Sequence, residues 1–297
     1  MKLGANYTGT TMNRHNIYRQ GLLIFVLLSM SACSFKFIYP RADFFIGWQI
    51  DSYLRLESAQ ERWLDERLEQ KLRWHHQSEL PRWREWLFTL RSDIAEHHIA
   101  PERYDEHMAQ MSVLLRQSSA SVINDSVELI QQLNDQQVEH LLKRLREDAA
   151  DAREEALDMS EKEYREERVE KTVDNLQKWF GRLDTAQIQI VQAYVDQSPD
   201  LRMEMNDSRA RWAAYINETL QNRANKEQLT VAVERMLTQP ESLRTAEYHA
   251  LWQQQGLRRR EMLHLIYQSA TERQREHLLD ELDNWIEDLD DLIARKI

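Results

Sequence analysis

Residues 134–168 read NDQQVEHLLKRLREDAADAREEALDMSEKEYREER, and this stretch decides the fold class. It begins with Asn134, a residue type that caps helix N-termini, continues through apolar residues at helical spacing and then becomes highly charged. Its Glu, Ala, Arg and Lys residues favour helix, and neither Gly nor Pro occurs between Pro101 and Gly181. We therefore expect a long solvated helix stabilised by i,i+4 ion pairs, in preference to a mobile connection between two helical halves.

The composition of the whole chain also favours a mainly helical protein. The 297 residues are 42% hydrophobic and 30% charged, with only 6 Gly and 5 Pro. So few turn-forming residues argue against sandwiches, barrels and Gly-rich nucleotide-binding loops. The formal net charge of −11 disfavours broad nucleic-acid binding, because phosphate recognition depends on basic surfaces. We expect no nucleic-acid partner.

Apolar residues recur every three, four or seven positions on both sides of the central stretch. Between Glu57 and Glu96 they form one stripe, which Pro81 should kink or divide. Further helices are predicted at 102–133, 172–182, 184–197, 199–222, 226–237, 245–270 and 271–296. The pattern predicts an all-α protein, an extended or curved bundle of about eight to ten helices. Within the helical body, residues 57–297, two halves would meet near residues 150–160.

The amino terminus has the features of a secretion signal. Basic residues precede the apolar run GLLIFVLL at residues 21–28, and no acidic residue occurs before position 33. The run is far shorter than the roughly 20 residues that span a bilayer, so a permanent membrane helix is not expected. Residues 1–32 are predicted to be a signal peptide, with translation starting at Met1 or Met12.

Three residues, Met30, Ser31 and Ala32, directly precede Cys33, which is the only cysteine of the chain. They resemble the lipobox of bacterial lipoproteins, in which the cysteine is lipidated and becomes the first residue after cleavage. The resemblance implies a covalent lipid such as palmitate on Cys33. An ordinary cleaved signal followed by an unmodified cysteine is the alternative. Ser34 at the next position implies transport to the outer membrane, by similarity to the sorting rule of enteric-type bacteria.

Lipidation of Cys33 would leave a body without a free thiol, and so without a disulfide, a Cys-ligated zinc or a Cys nucleophile. Cleavage after residue 32 would also make the net charge more negative, from −11 to −14. An acidic body is repelled by anionic headgroups, so the lipid has to provide the anchor. Residues 33–56 are expected to form a tether and a short aromatic-rich helix.

One motif recurs at four predicted helix starts: an apolar residue, a capping residue and, three positions after the capping residue, a Gln. The copies are LESAQ at 56–60, LNDQQ at 133–137, LDTAQ at 183–187 and ATERQ at 270–274. Their spacing is too irregular for a solenoid, so we interpret this capping-Gln motif as a recurrent helix cap. It also resembles the LTxxQ signature of Spy-type periplasmic chaperones, small helical cradles that bind unfolded clients, although only the last copy keeps the Thr.

A second resemblance extends over nearly the whole chain. It is carried by the lipobox cysteine, by WQIDSYL at 48–54 with Gln60, and by WHHQSELP at 74–81. These residues resemble a family of uncharacterised proteobacterial lipoproteins that is known only as a domain of unknown function. The resemblance implies a location and a fold, but it implies no activity and transfers no functional residues.

The first candidates for chemistry are His75 and Glu79, because a spacing of four residues places them on one helical face that could hold a metal. No third ligand at matching spacing accompanies them. We expect instead that they form, together with His76, a structural joint at the predicted break. A second group around His97 and His107 is expected to form a polar loop between helices.

The nine Trp residues all follow the predicted signal peptide. Packing in the core is the default for aromatic residues at helical spacing. The alternative is an open aromatic-lined surface that binds exposed hydrophobic segments of another protein. Trp83 and Trp86, three residues apart beside the predicted kink, are the candidate partner-binding pair.

Motifs typical of enzymes are not found in the sequence. It contains no nucleophile elbow, no His-Glu-x-x-His pair and no Gly-rich phosphate loop, so we do not expect an enzyme. The combined features predict a non-enzymatic interaction protein on the periplasmic side of the outer membrane, either an adaptor with one envelope partner or a chaperone with many clients. A lipoprotein that binds a metal or a small ligand is the alternative. No cofactor other than the covalent lipid is expected.

Overall fold

A computed structural model describes residues 36, 38–97 and 100–295. The predicted signal peptide and Cys33 lie outside the described residues, so both assignments stay predictions. All regular secondary structure in the described residues is helical. The prediction of an all-α multi-helix bundle is therefore confirmed.

The described part contains twelve α-helices, a five-residue π turn at His75–Glu79 and two short 3-10 turns. The α-helices are α1 (Ala42–Leu54), α2 (Ser58–Trp74), α3 (Leu80–Ala95), α4 (Pro101–Ser121), α5 (Ile123–Gln132), α6 (Asp135–Asp158), α7 (Glu161–Phe180), α8 (Thr185–Gln197), α9 (Arg202–Gln221), α10 (Lys226–Thr238), α11 (Ala246–Ser269) and α12 (Glu272–Ala294). The π turn joins α2 to α3, and only Val122 separates α4 from α5. When each of these two pairs is counted as one helical rod, the described part has ten helices, which agrees with the predicted eight to ten.

The rod formed by α2 and α3 runs through Pro81 without dividing. Proline lacks the N–H that an α-helix requires and its ring crowds the preceding turn. A π turn precedes the proline, with the N–H of Leu80 bonded to the carbonyl of His75 five residues earlier. A π turn accommodates an irregularity while keeping the backbone bonded. The helix is therefore not divided at Pro81, because the irregularity is a bonded π turn, and the kink stays a prediction.

The charged central stretch is helical, as expected, with one interruption. Met159 and Ser160 separate α6 from α7, and α7 is capped by Ser160, whose backbone N–H donates to the carboxylate of Glu163 at 2.9 Å. The helix therefore restarts well before the predicted position 172. The expected i,i+4 ion pairs are present at Lys143–Glu147, Arg144–Asp148, Glu161–Arg165, Lys162–Glu166 and Glu167–Lys171.

Two large clusters of buried apolar side chains lie at different parts of the bundle. One is built by α3, α7, α8, α11 and α12 around Val191 and Ile266. The other is built by α1, α2, α5, α6 and α9 around Leu64, Leu133 and Leu220. The rod α2–α3 and the pair α6–α7 each contribute to both clusters. The body is therefore organised along these two long helical segments.

The short helix α1 lies where an aromatic-rich helix is expected and packs against α2 and α6. Ile50, Tyr53 and Leu54 join the cluster around Leu64. The hydroxyl of Tyr53 donates to the carboxylate of Asp148 on α6 at 2.6 Å. These contacts hold α1 on the body.

Candidate functional sites

Every copy of the capping-Gln motif caps a helix. Capping boxes occur at the starts of α2, α6, α8 and α12, where the amide oxygen of each Gln accepts the backbone N–H of the capping residue three positions earlier. The N···O distances are between 2.8 and 3.0 Å. The first residues of three copies, Leu133, Leu183 and Ala270, are buried in the two large clusters. The interpretation of the motif as a recurrent cap is confirmed.

The four glutamines also meet in two pairs, which the sequence does not reveal. Gln60 and Gln137 exchange amide hydrogen bonds at 3.2 and 2.7 Å. Gln187 and Gln274 do the same at 3.0 and 2.9 Å. Each also donates to a carbonyl of the chain near the end of another helix. All four side chains are buried, so the pairs fasten helix starts together and are shielded from any partner.

The π turn holds two histidines and a buried glutamate. The Nδ1 of His75 lies 3.0 Å from the Tyr39 hydroxyl, and the Nε2 of His76 lies 2.8 Å from the Leu292 carbonyl oxygen. Glu79 accepts from Arg82 at 3.1 Å and is only 2% exposed. Burial lowers the pKa of His75, with a partly opposing effect of the Glu79 charge. These contacts join the rod α2–α3 to α12 and to the segment before α1.

The metal candidates His75 and Glu79 therefore both have partners within the protein. No group of three or more His, Cys, Asp or Glu side chains within residues 38–97 and 100–295 is arranged to hold a metal ion. The contacts of the π turn correspond to the structural joint that the sequence predicts for these residues.

The two candidate partner-binding tryptophans pack against one another. The ring centroids of Trp83 and Trp86 are 5.7 Å apart in an edge-to-face arrangement. Trp83 also packs on the small cluster of Tyr39, Leu80, Leu289 and Leu292. The indole N–H of Trp86 donates to the His107 carbonyl at 3.1 Å. Their role in partner binding stays a prediction, and both rings already have contacts within the fold.

The expected polar loop around His107 is wrong for that residue. His107 lies within α4, is 3% exposed, and places its Nε2 2.7 Å from the carboxylate of Asp93 on α3. Arg103 donates to the same oxygen at 2.6 Å. Burial raises the pKa of Asp93, but the hydrogen bonds from Arg103 and His107 outweigh it, so the pKa is lowered. His97 does lie in the turn after α3, with a left-handed φ of 56°, and His98 is outside the described residues.

An open depression beside the start of α6 is the candidate for a small ligand. Its walls carry both positive and negative groups: Arg55, Gln136, Glu139, His140, Lys143, Arg144 and Glu147. Ligand pockets are usually concave and mainly apolar, with a few converging polar groups. This open, mixed-charge surface lacks those features.

Exposed apolar side chains lie on α8 and α11, two helices that pack against each other. Leu257 and Leu265 are 57% and 41% exposed on α11, whereas Met262 and Ile266 of the same helix are buried. Ile188 on α8 is 39% exposed and directly follows Gln187, whose side chain reaches Ser269 at the end of α11. Because a spacing of eight residues keeps Leu257 and Leu265 on one side of the helix, we group these residues with Ile188 as the α8–α11 surface.

The fold and these sites define an all-helical protein fastened by buried capping glutamines, with apolar side chains left on its surface. Residues 52–249 match the profile of a family of unknown function (DUF6279). This match covers well over half of the chain, and the protein belongs to this family. No curated protein and no solved structure is significantly similar to the chain. In the described part, no helix combines the length and apolar character needed to cross a bilayer.

Proposed function

We propose that the protein is an outer-membrane lipoprotein of proteobacterial type whose helical body faces the periplasm and binds another protein. The lipobox-like residues before Cys33 support the anchor. The observation that carries the interaction role is the α8–α11 surface, on which Ile188, Leu257 and Leu265 stay exposed while the opposite side of α11 is buried.

The α8–α11 surface favours an adaptor over a general chaperone. A chaperone for unfolded clients needs a broad apolar surface, whereas exposed patches on folded proteins often mark one defined contact. The α8–α11 surface consists of three side chains. The resemblance to the LTxxQ signature gives less support to client binding, because the capping glutamines are buried in the fold.

We further infer that the body is not an enzyme. The two histidine clusters that draw attention, His75 with Tyr39 and His107 with Asp93, each join separate helical elements. Both act within the packing of the bundle. The contacts of His75 and His107 give both side chains a structural role.

The anchor is tested by labelling cells with a fatty acid that carries a chemical handle, followed by fractionation of the membranes. We expect the wild-type protein to carry the label and the Cys33→Ala variant to lack it. The variant should also be absent from the outer-membrane fraction. A Cys33→Ala variant with normal membrane fractionation would contradict lipidation.

The interaction is tested by crosslinking and purifying the protein from its own membrane. We expect one stoichiometric partner, and we expect Leu257→Asp combined with Leu265→Asp to lower its recovery about tenfold or more, as for the loss of contacts at the centre of an interface. Val231→Asp on α10 is the matched control, because it adds charge at an exposed apolar position on a different helix. Recovery of many unfolded envelope proteins would favour the chaperone, and recovery of the protein alone would favour ligand binding.

A further inference from the structure

The helix α1 is apolar on two sides. Its inner side contributes Ile50 and Leu54 to the core. Its outer side exposes three aromatic residues: Phe44 by 67%, Phe45 by 46% and Trp48 by 58%. Spacings of one, three and four residues bring these side chains to one side of the helix. We call Phe44, Phe45 and Trp48 the aromatic patch.

Two residues between Cys33 and the aromatic patch, Lys36 and Tyr39, are held on the body. Tyr39 is buried, and its hydroxyl lies 3.0 Å from His75. Lys36 forms ion pairs with Asp288 and Asp291 on α12. Cys33 is three residues before Lys36, so at most about 11 Å of extended chain separates them. A lipid on Cys33 would therefore enter the membrane close to this side of the body.

The chain between Lys36 and the aromatic patch is also short. Residues 39–41 form a 3-10 turn, and α1 begins directly after it at Ala42. Helical chain rises only about 1.5–2 Å per residue. The Cα atoms of all three aromatic residues consequently lie within about 40 Å of the Cys33 sulfur, as judged from the maximum reach of the intervening chain. The membrane surface that receives the lipid is within reach of the aromatic patch.

We propose that the aromatic patch inserts into the headgroup region of the membrane that carries the lipid on Cys33. This inference rests on the proposed lipidation. Trp and other aromatic side chains favour the membrane interface, and a lipid chain combined with a second attachment anchors more firmly than one chain alone. The two attachments fix the orientation of the body on the membrane, with α1 along its surface.

Burial of apolar side chains drives the insertion of the aromatic patch into the membrane. The mature chain would carry a net charge of −14, which opposes attraction to anionic lipid. Next to the aromatic patch, Arg41 and Asp43 are both exposed and offset each other. Insertion of the aromatic patch is therefore expected to change little with salt concentration, unlike binding through a basic surface.

The test uses the lipidated protein, purified from membranes and reconstituted into vesicles of phosphatidylethanolamine and phosphatidylglycerol. Because Cys33 is the only cysteine, a lipidated Phe45→Cys variant carries one free thiol for a fluorescent label. Val231→Cys is the matched control, since Val231 is an exposed apolar residue of α10. We expect lipids with a nitroxide on the acyl chain to quench the label at position 45 several-fold more strongly than the label at position 231.

Equal quenching at the two positions, with equal access to a water-soluble quencher, would overturn the proposal. Protection of position 45 from the water-soluble quencher without quenching by lipid would show that a second copy of the chain covers the aromatic patch, which also overturns it. Mass spectrometry of the same protein reports the lipid on Cys33 separately. If Cys33 is unmodified, the anchor is wrong, and the aromatic patch is then tested by vesicle binding alone.

Vesicle binding of unlipidated protein is expected to fall about tenfold or more in the variant Phe44→Ser with Trp48→Ser, because two large apolar side chains no longer leave water. The matched control is Val231→Ser, which should bind as the wild type does. Unchanged binding of the double variant would overturn insertion of the aromatic patch independently of the state of Cys33.

Discussion

The side-chain amides of Gln60 and Gln137 donate hydrogen bonds to each other, although 77 residues separate them in the sequence. The same relationship joins Gln187 and Gln274 across 87 residues. Each pair lies beside one of the two large apolar clusters. The bundle thus uses one device twice, in which two capped helix starts are locked together by a buried pair of amides.

Replacement of Gln137 by Ala should lower the free energy of unfolding by about 2–3 kcal/mol. The substitution removes a cap and leaves the buried amide of Gln60 without its partner, each of which has a known cost, and it also removes the donor to the Arg55 carbonyl. The measurement is chemical denaturation followed by circular dichroism. The neighbouring exposed Gln136→Ala is the control and should change stability by no more than about 0.5 kcal/mol. Equal effects of the two substitutions would contradict a stabilising role for the amide pair.

The two glutamines of one pair should also be coupled. Removal of Gln60 and Gln137 together is expected to cost less than the sum of the single substitutions, by about 1 kcal/mol or more, because the second substitution breaks contacts that are already lost. A double-mutant cycle with Ala at both positions measures this difference. The control is the combination of Gln60→Ala with Gln274→Ala, because these two residues belong to different hydrogen-bonded pairs. Their effects on the free energy of unfolding should be additive. An additive result for Gln60 and Gln137 would show that the amides act independently.

The protein should lose stability as the pH falls from about 7 towards 5, partly through His75. Burial lowers the pKa of His75 in the folded state, so the unfolded chain binds the proton more tightly. No stability is lost through His75 above its unfolded pKa of about 6.5, and the loss grows as the pH falls below that value.

Thermal unfolding between pH 7.5 and pH 5 measures this dependence. We expect a smaller decrease of Tm in His75→Gln than in the wild type. Gln77→Ala, which alters an exposed residue of the same π turn that does not titrate, should keep the wild-type slope. An unchanged slope in His75→Gln would exclude His75 as a source of the acid sensitivity.

Asp93→Asn should destabilise the protein by about 1–3 kcal/mol at pH 7, because Arg103 and His107 lose a buried charged acceptor. The pKa of Asp93 is lowered in the folded state, so this stabilisation is present above about pH 4, the unfolded value, and declines as the pH falls further. Asp283→Asn removes an exposed ion pair with Arg91 and should cost at most about 1 kcal/mol. If both variants lose equal stability in denaturation experiments, the buried contacts of Asp93 contribute no more to stability than an exposed ion pair does.

Local patterns in the sequence predict much of the fold. The predicted ends of α8 and α10 differ from the structure by at most one residue, because a capping residue or a break marks each of them. The start of α7 was missed because few apolar residues follow Ser160, and the capping sequence itself was the only signal. The π turn was missed because a proline within a helical pattern usually ends or kinks the helix.

Contacts between distant residues are the part that the sequence does not provide. The capping-Gln motif is visible four times, but nothing in the four copies indicates that Gln60 meets Gln137 rather than Gln187. His107 and Asp93 approach each other only because α3 and α4 pack together. Exposure of Leu257 and Phe44 is likewise a property of the packed bundle, since both occur in patterns that are equally compatible with a buried position.

The most direct test of the central claim is photo-crosslinking in living cells from a photoreactive amino acid placed at Leu257. We predict one discrete crosslinked envelope protein from this position, and none from a control position at Val231, an exposed apolar residue of α10. The band should disappear when Cys33→Ala removes the protein from its membrane. A continuous smear of products from both positions, or no product from Leu257, would contradict an adaptor that binds its partner through the α8–α11 surface.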